Sequence, residues 1–190
     1  MILKVIGIAG SVVGSKTRIA VEQVLNKMNG EHQELKTELI DLSDYELVFS
    51  DGRDYRDYSG DTKTVLEKIM SADAYIIGTP IFQASIPGAL KNLFDLLPNE
   101  AFRDKVAGIV ATAGSSKHYL VPEHQLKPIL SYMKAVILPK YVFVEEKNYY
   151  QKEIVDEDAI FRLNQLADDL VHGINVFSEI QKAKDSAFPF

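Results

Sequence analysis

Apolar residues gather in five short runs, at positions 2–9, 35–42, 74–79, 106–113 and 135–144. Runs one, three and four are almost wholly apolar, the pattern of parallel strands covered on both faces. Run two alternates with Lys36, Glu38 and Asp41 and so reads as less buried. Run five carries Pro139, which has no N–H for a strand ladder and points to a sheet edge. Between the runs the apolar period lengthens to that of a helix. Val21, Val24, Leu25 and Met28 share one face, as do Leu90, Leu93, Phe94 and Leu97, and again Leu126, Ile129, Leu130 and Met133. A last helix uses Ile160, Leu163, Leu166, Leu170, Ile174 and Phe177. These stripes read first as core packing, with the third also open to a role at a subunit interface.

Alternating strands and helices predict an α/β fold, a doubly wound parallel sheet with right-handed crossovers. Five strands favour the order 2-1-3-4-5, with strands two and five at the edges. Those are the two runs that read as least buried. The 190 residues suit a single domain, 1–190, closed by a C-terminal helix. Residues 44–61 form a long polar connection rich in Tyr and Asp, and connections of that length are usually functional or disordered.

Composition narrows the partners. The formal charge is −6 with no basic stripe, which argues against nucleic acid. Cysteine is absent, removing disulfides and thiol chemistry together and fitting a reducing compartment. No apolar run is long enough to span a bilayer, and the first strand begins at once with no signal peptide in front. The expectation is a cytoplasmic protein with no membrane partner.

In an open α/β sheet of this order, ligands sit beyond the carboxyl ends of strands one, three and four. The first of those loops is Gly10-Ser11-Val12-Val13-Gly14-Ser15-Lys16-Thr17-Arg18. Its glycines permit a tight turn, Ser15 and Thr17 are able to cap the following helix, and free amides beside Lys16 and Arg18 suit a phosphate. The plainer alternative is a capped Gly/Ser turn. The loop matches neither the Walker pattern nor the Gly-x-Gly-x-x-Gly fingerprint, so a monophosphate fits better than a pyrophosphate. The second loop, Thr79-Pro80-Ile81-Phe82-Gln83-Ala84-Ser85-Ile86-Pro87-Gly88, presents apolar side chains beside backbone amides, as a flat heteroaromatic ring requires. Ile86 equally suits a hydrophobic staple for the third helix. The third loop, Thr112-Ala113-Gly114-Ser115-Ser116-Lys117-His118, is small enough for close approach, and His118 is either a ligand contact or an ordinary polar loop residue. Strand three ends in Thr79-Pro80 with no acidic residue, which excludes a response regulator. Beyond these loops, Pro128 interrupts the stripe of the fourth helix. With no N–H for the His124 carbonyl, the helix must kink, widen into a π-bulge, or start later.

The Gly10 to Arg18 loop, the Thr79-Pro80-Ile81-Phe82 turn with Pro87-Gly88-Ala89-Leu90-Lys91-Asn92-Leu93, and Thr112-Ala113-Gly114-Ser115 together resemble NAD(P)H-dependent FMN reductases of flavodoxin-like fold. The stretches Gly88 to Pro98 and His118 to Leu130 resemble the branch that supplies reduced FMN to flavin-dependent sulfonate monooxygenases. The resemblance implies a homodimer, often paired into a homotetramer, with FMN and either NADPH or NADH as cofactors. It places the phosphate on Ser11, Ser15, Lys16, Thr17 and Arg18. The ring then lies against Pro80, Ile81, Phe82 and Gln83, with Thr112, Ala113, Gly114, Ser115 and His118 on the other side. The branch carries a π-helical insertion in the fourth helix, and His124 stands here where some members have Tyr.

Hydride transfer from nicotinamide to flavin needs stacking and charge stabilisation rather than an acid–base dyad, so no catalytic side chain and no metal ligand is expected. The alternatives are an FMN-bound quinone or azo reductase and a non-enzymatic electron carrier. Arg53, Arg56 and Lys117 are candidate readers of a nicotinamide 2′-phosphate, and Tyr45, Tyr55 and Tyr58 either border the nicotinamide or cover the sheet.

Overall fold

The computed structural model describes residues 2–187; Met1 and residues 188–190 of the expected 1–190 domain lie outside the described residues. Strands β1 (Leu3–Ala9), β2 (Leu35–Asp41), β3 (Ala74–Pro80) and β4 (Val106–Ala113) pair in parallel, in the order β2-β1-β3-β4. The fifth run lies beyond β4, completing the order expected from the sequence, with β2 and the fifth run at the two edges.

That fifth run is not one strand. It divides into β5 (Val136–Ile137) and β6 (Val142–Glu145), both parallel to β4. Val136 faces Val106 but Val142 faces Val110, so two extra residues lie between the two pairings. Pro139 sits in that interruption, and its carbonyl accepts a hydrogen bond from Lys127 Nζ at 2.9 Å. A residue without an N–H breaks the ladder, and the edge tolerates the break because, among the described residues, no strand pairs on its far side.

The pleat divides the core. Val5, Ile76 and Val110 face helices α1 (Lys16–Glu31) and α5 (Glu157–Ala187). Ile6, Ile8, Tyr75 and Ile77 face α2 (Gly60–Met70), α3 (Gly88–Leu96) and α4 (Lys127–Tyr132). The α2 stripe, buried at Val65, Leu66 and Ile69, is short and goes unnamed in the sequence pattern. Tyr75 donates its hydroxyl to the Ile69 carbonyl at 2.6 Å and packs edge-on to Phe102. No helix among the described residues is long and apolar enough to cross a membrane.

Residues 44–61 are pinned, not loose. Val48 N–H donates to Thr62, Ser50 N–H donates to Asn92, and Asn92 returns a bond to the Val48 carbonyl. Tyr58 is buried in the core, with Tyr45 and Tyr55 packed against it. All three pack in or against this core cluster, and none lines the cleft described below.

Of the outcomes open at Pro128, a widened turn is what forms. Residues Pro122–Leu126 make a π-helical turn in which the Lys127 N–H reaches the Pro122 carbonyl five residues back. Pro128 then falls in the first turn of α4, where a missing N–H costs least.

Candidate functional site

The loops after β1, β3 and β4 converge on one cleft of about 420 Å³, within the range of small-molecule sites. The first loop gives Val13, Gly14, Ser15, Lys16 and Thr17 to its wall. The second gives Pro80, Ile81 and Phe82, and the third gives Thr112, Ala113 and Gly114.

Helix α1 is held unusually close to the sheet beneath this cleft. A Cβ on Gly78 would lie 2.4 Å from Val21 Cγ2 and 2.9 Å from Thr17 Cγ2, so only glycine lets the helix seat so near β3. Thr17 does not cap. Its hydroxyl shares a 2.7 Å hydrogen bond with that of Thr112, tying the first loop to the third at the cleft floor. Ser15 occupies the N-cap position but makes no side-chain cap bond, so the capping expected of both residues is corrected here. The amides opening α1 are thus left without a side-chain cap at Ser15, with Lys16 beside them.

Ser11 folds the loop instead of facing the cleft. Its hydroxyl donates to the Val13 carbonyl at 2.6 Å and accepts the Val13 N–H at 3.2 Å. Arg18 points the other way along α1, bonded to Glu22 at 2.9 Å with Asp41 at 3.5 Å and Asp44 at 3.9 Å. Those acids raise its pKa, the Glu22 hydrogen bond foremost.

The second loop closes as a two-residue hairpin. Phe82 and Ser85 exchange backbone hydrogen bonds at 3.0 and 2.9 Å, with Gln83 and Ala84 at φ +46° and +57°. Positive φ at both central positions is the requirement of a type I′ turn, normally met by Asn and Gly. The conformation is braced from the π-helical turn: Gln125 accepts from the Ser85 hydroxyl and donates to the Ala84 carbonyl at 3.1 Å. Ile86 stands just before the Pro87 N-cap of α3 and packs on the core beside the cleft. Gln83, Ser115 and His118 lie outside the cleft lining, His118 in a short 3₁₀ turn at Ser116–His118.

Four lining residues carry no signal in the three loops: Val144, Glu146, Tyr149 and Lys152, all from the end of β6 and the hairpin β7 (Tyr149–Tyr150) to β8 (Glu153–Ile154). Glu146 ion-pairs with Lys16. Tyr149 donates its hydroxyl to the Lys16 carbonyl at 2.9 Å, and burial pushes its pKa up, so it stays a neutral donor. The Tyr-Tyr-Gln-Lys sequence lacks the Asn-Gly signature of a tight turn, which hid this hairpin. Arg53 and Arg56 are bound to Asp51 and Asp54, and with Lys117 they stand outside the lining.

The cleft suits a flavin mononucleotide. One end offers uncapped amides and Lys16; the other offers an apolar turn facing small residues. Cβ atoms added at Gly14 or Gly114 would meet no protein atom within 4 Å, so both glycines leave space on the open side of the wall.

A family model described as NADPH-dependent FMN reductase matches residues 3–149. An NAD(P)H-dependent FAD/FMN reductase of Geobacillus thermodenitrificans (strain NG80-2) is 48% identical over 171 residues, 90% of this chain and 92% of that protein. The NADH-dependent FMN reductase SfnF of Pseudomonas fluorescens (strain Pf0-1) is 31% identical over 167 residues, covering 87% and 89% of the two chains. Among solved structures, the apo form of an NADH:FMN oxidoreductase (EMOB) matches with a TM-score of 0.75 at 25% identity, over 88% of each chain.

Proposed function

Because the chain belongs to the NADPH-dependent FMN reductase family, whose members use NAD(P)H and FMN, we propose that this cleft is where it holds FMN to receive hydride. The convergence of three loops on one cleft, with α1 amides at one end and Pro80, Ile81 and Phe82 at the other, carries the reading. In this arrangement Ser15, Lys16 and Thr17 take the phosphate. The Pro80–Phe82 turn and the Thr112–Gly114 backbone hold the ring in one plane. Bound flavin supplies the hydride-accepting chemistry, and the chain supplies position, a partly dry wall and backbone donors. No side chain here needs to exchange a proton. Ser11 and Arg18, which the family resemblance places on the phosphate, act in this reading only through the shape of the loop and the charge of the helix.

The reduced flavin leaves for a flavin-dependent monooxygenase. The protein works in the cytoplasm as a homodimer or homotetramer, and the face of α4 that exposes Tyr132 beside Pro128 and Ile129 supports a subunit contact there. The deciding experiment is a steady-state assay with NADH and with NADPH, each with and without added FMN. Oxidation that depends on added FMN and saturates with it is the expected result. Full activity without added flavin, together with faster turnover of a quinone or azo dye, would replace this reading with that of a flavin-bound quinone or azo reductase.

A further inference from the structure

Two residues beyond β6 set the charge at the phosphate end of the cleft. Lys16 is already committed: its ammonium is paired with Glu146, which lines the same wall. Tyr149 holds that lysine in place from below, through its hydroxyl on the Lys16 carbonyl and its ring 5.7 Å from Nζ. Lys152 lines the wall too and makes no ion pair among the described residues. It stands at the tip of the β7–β8 hairpin with φ +68°, next to Gln151 at +46°. Neither residue has the side chain such a turn prefers, so the hairpin holds Lys152 in place against its own backbone preference. Two lysines and one glutamate leave a single net positive charge, against about −1.5 to −2 on a phosphate monoester at pH 7.

We propose that Glu146 holds down the affinity for the flavin phosphate by competing for Lys16, while Lys152 supplies the one uncommitted charge, so that FMN is taken up and released as a substrate. This rests on the reading that the phosphate sits at this end of the cleft. An exposed carboxylate a few ångströms from a dianion raises its free energy appreciably even in a watery site, and salt weakens the effect.

The test measures dissociation constants for FMN and for riboflavin, which lacks the phosphate, by flavin fluorescence at low and high salt. Glu146→Gln is expected to tighten FMN about tenfold and Lys152→Gln to weaken it about tenfold at low salt, both differences shrinking at high salt. Riboflavin affinity stays unchanged in both variants. A Gly114→Val variant blocks the cleft and reports on the site itself. If it abolishes FMN binding while Glu146→Gln fails to tighten FMN, or shifts riboflavin equally, the role of Glu146 is overturned and the site stands. If Gly114→Val binds FMN as the parent does, the placement of the flavin falls and this proposal falls with it.

Discussion

At Gly78 the contact between β3 and α1 leaves no room for a methyl group. The nearest atom to an added Cβ is Val21 Cγ2, and a β-branched side chain in a helix has one favoured rotamer, so it has little freedom to move aside. Gly78→Ala is therefore expected to cost about 1–3 kcal/mol by overpacking, read as a lower denaturant midpoint at unchanged slope. Gly30 in the last turn of α1 provides the control, since a Cβ there meets nothing within 4 Å. Gly30→Ala should stabilise by about 0.4–1 kcal/mol through the unfolded chain. A Gly78→Ala protein as stable as the parent would show that α1 slides freely over β3, and the cleft floor would lose its rigid base. The Thr17–Thr112 hydrogen bond works on the same floor. Removing one hydroxyl orphans the other in a buried place, whereas a bland polar pair on the surface would not be missed.

Among the elements, two short hairpins and one π-helical turn shape the cleft. Gln125 is the link between the π turn and the Phe82–Ser85 hairpin. Gln125→Ala removes both contacts, and the turn loses about 1 kcal/mol of support, which should raise KM for FMN roughly fivefold with kcat little changed. An unchanged KM would mean that Gln83 and Ala84 keep their positive φ without help from the fourth helix. The β7–β8 hairpin permits the converse experiment. Gln151→Gly removes the cost of a left-handed backbone at a side-chain-bearing residue, about 1 kcal/mol, and should slow amide exchange in residues 149–154. Faster exchange would show that the glutamine side chain, not its backbone, stabilises the turn.

Across the whole molecule, carboxylates tie separate elements together. Glu38 on β2 sits between Lys4 of β1 at 3.0 Å and Lys68 of α2 at 2.9 Å. Burial alone would raise its pKa, but the hydrogen bonds from Lys68 and Lys4 outweigh it and hold the carboxyl below its usual range. In the 44–61 connection, hydrogen bonds from Arg53 lower Asp51, and those from Arg56 bring Asp54 to about 2. A carboxyl depressed in the folded state stabilises above its unfolded pKa and loses that contribution as pH falls through the lower folded value. The thermal midpoint should therefore be nearly level from about pH 7 to 5 and fall below about pH 4. A midpoint that rises on acidification would contradict the assignment. At half-buried Lys105 the pKa is lowered for a different reason, burial disfavouring the ammonium, and the side chain donates to the Met70 carbonyl at the end of α2 and to Tyr75.

Period and local chemistry determined the four strands β1 to β4, most of the helices, the sheet order and the three loops at the switch point, because each depends on residues a few positions apart. Pro128 announced a disturbed fourth helix for the same reason: a missing N–H is a local fact. Tertiary structure alone decided which side chains meet. Lys16 and Glu146 are 130 residues apart, and Ser85 and Gln125 are 40 apart, so no window of sequence contains either pair. Arg18 bonds first to Glu22 one turn along its own helix, while its approach to Asp41 at the end of β2 needed the packing of α1 on the sheet, and the break of the fifth run followed from its register against β4. Local pattern selects the elements and the ion pairs one helical turn apart; packing and register then choose the partners that join one element to another.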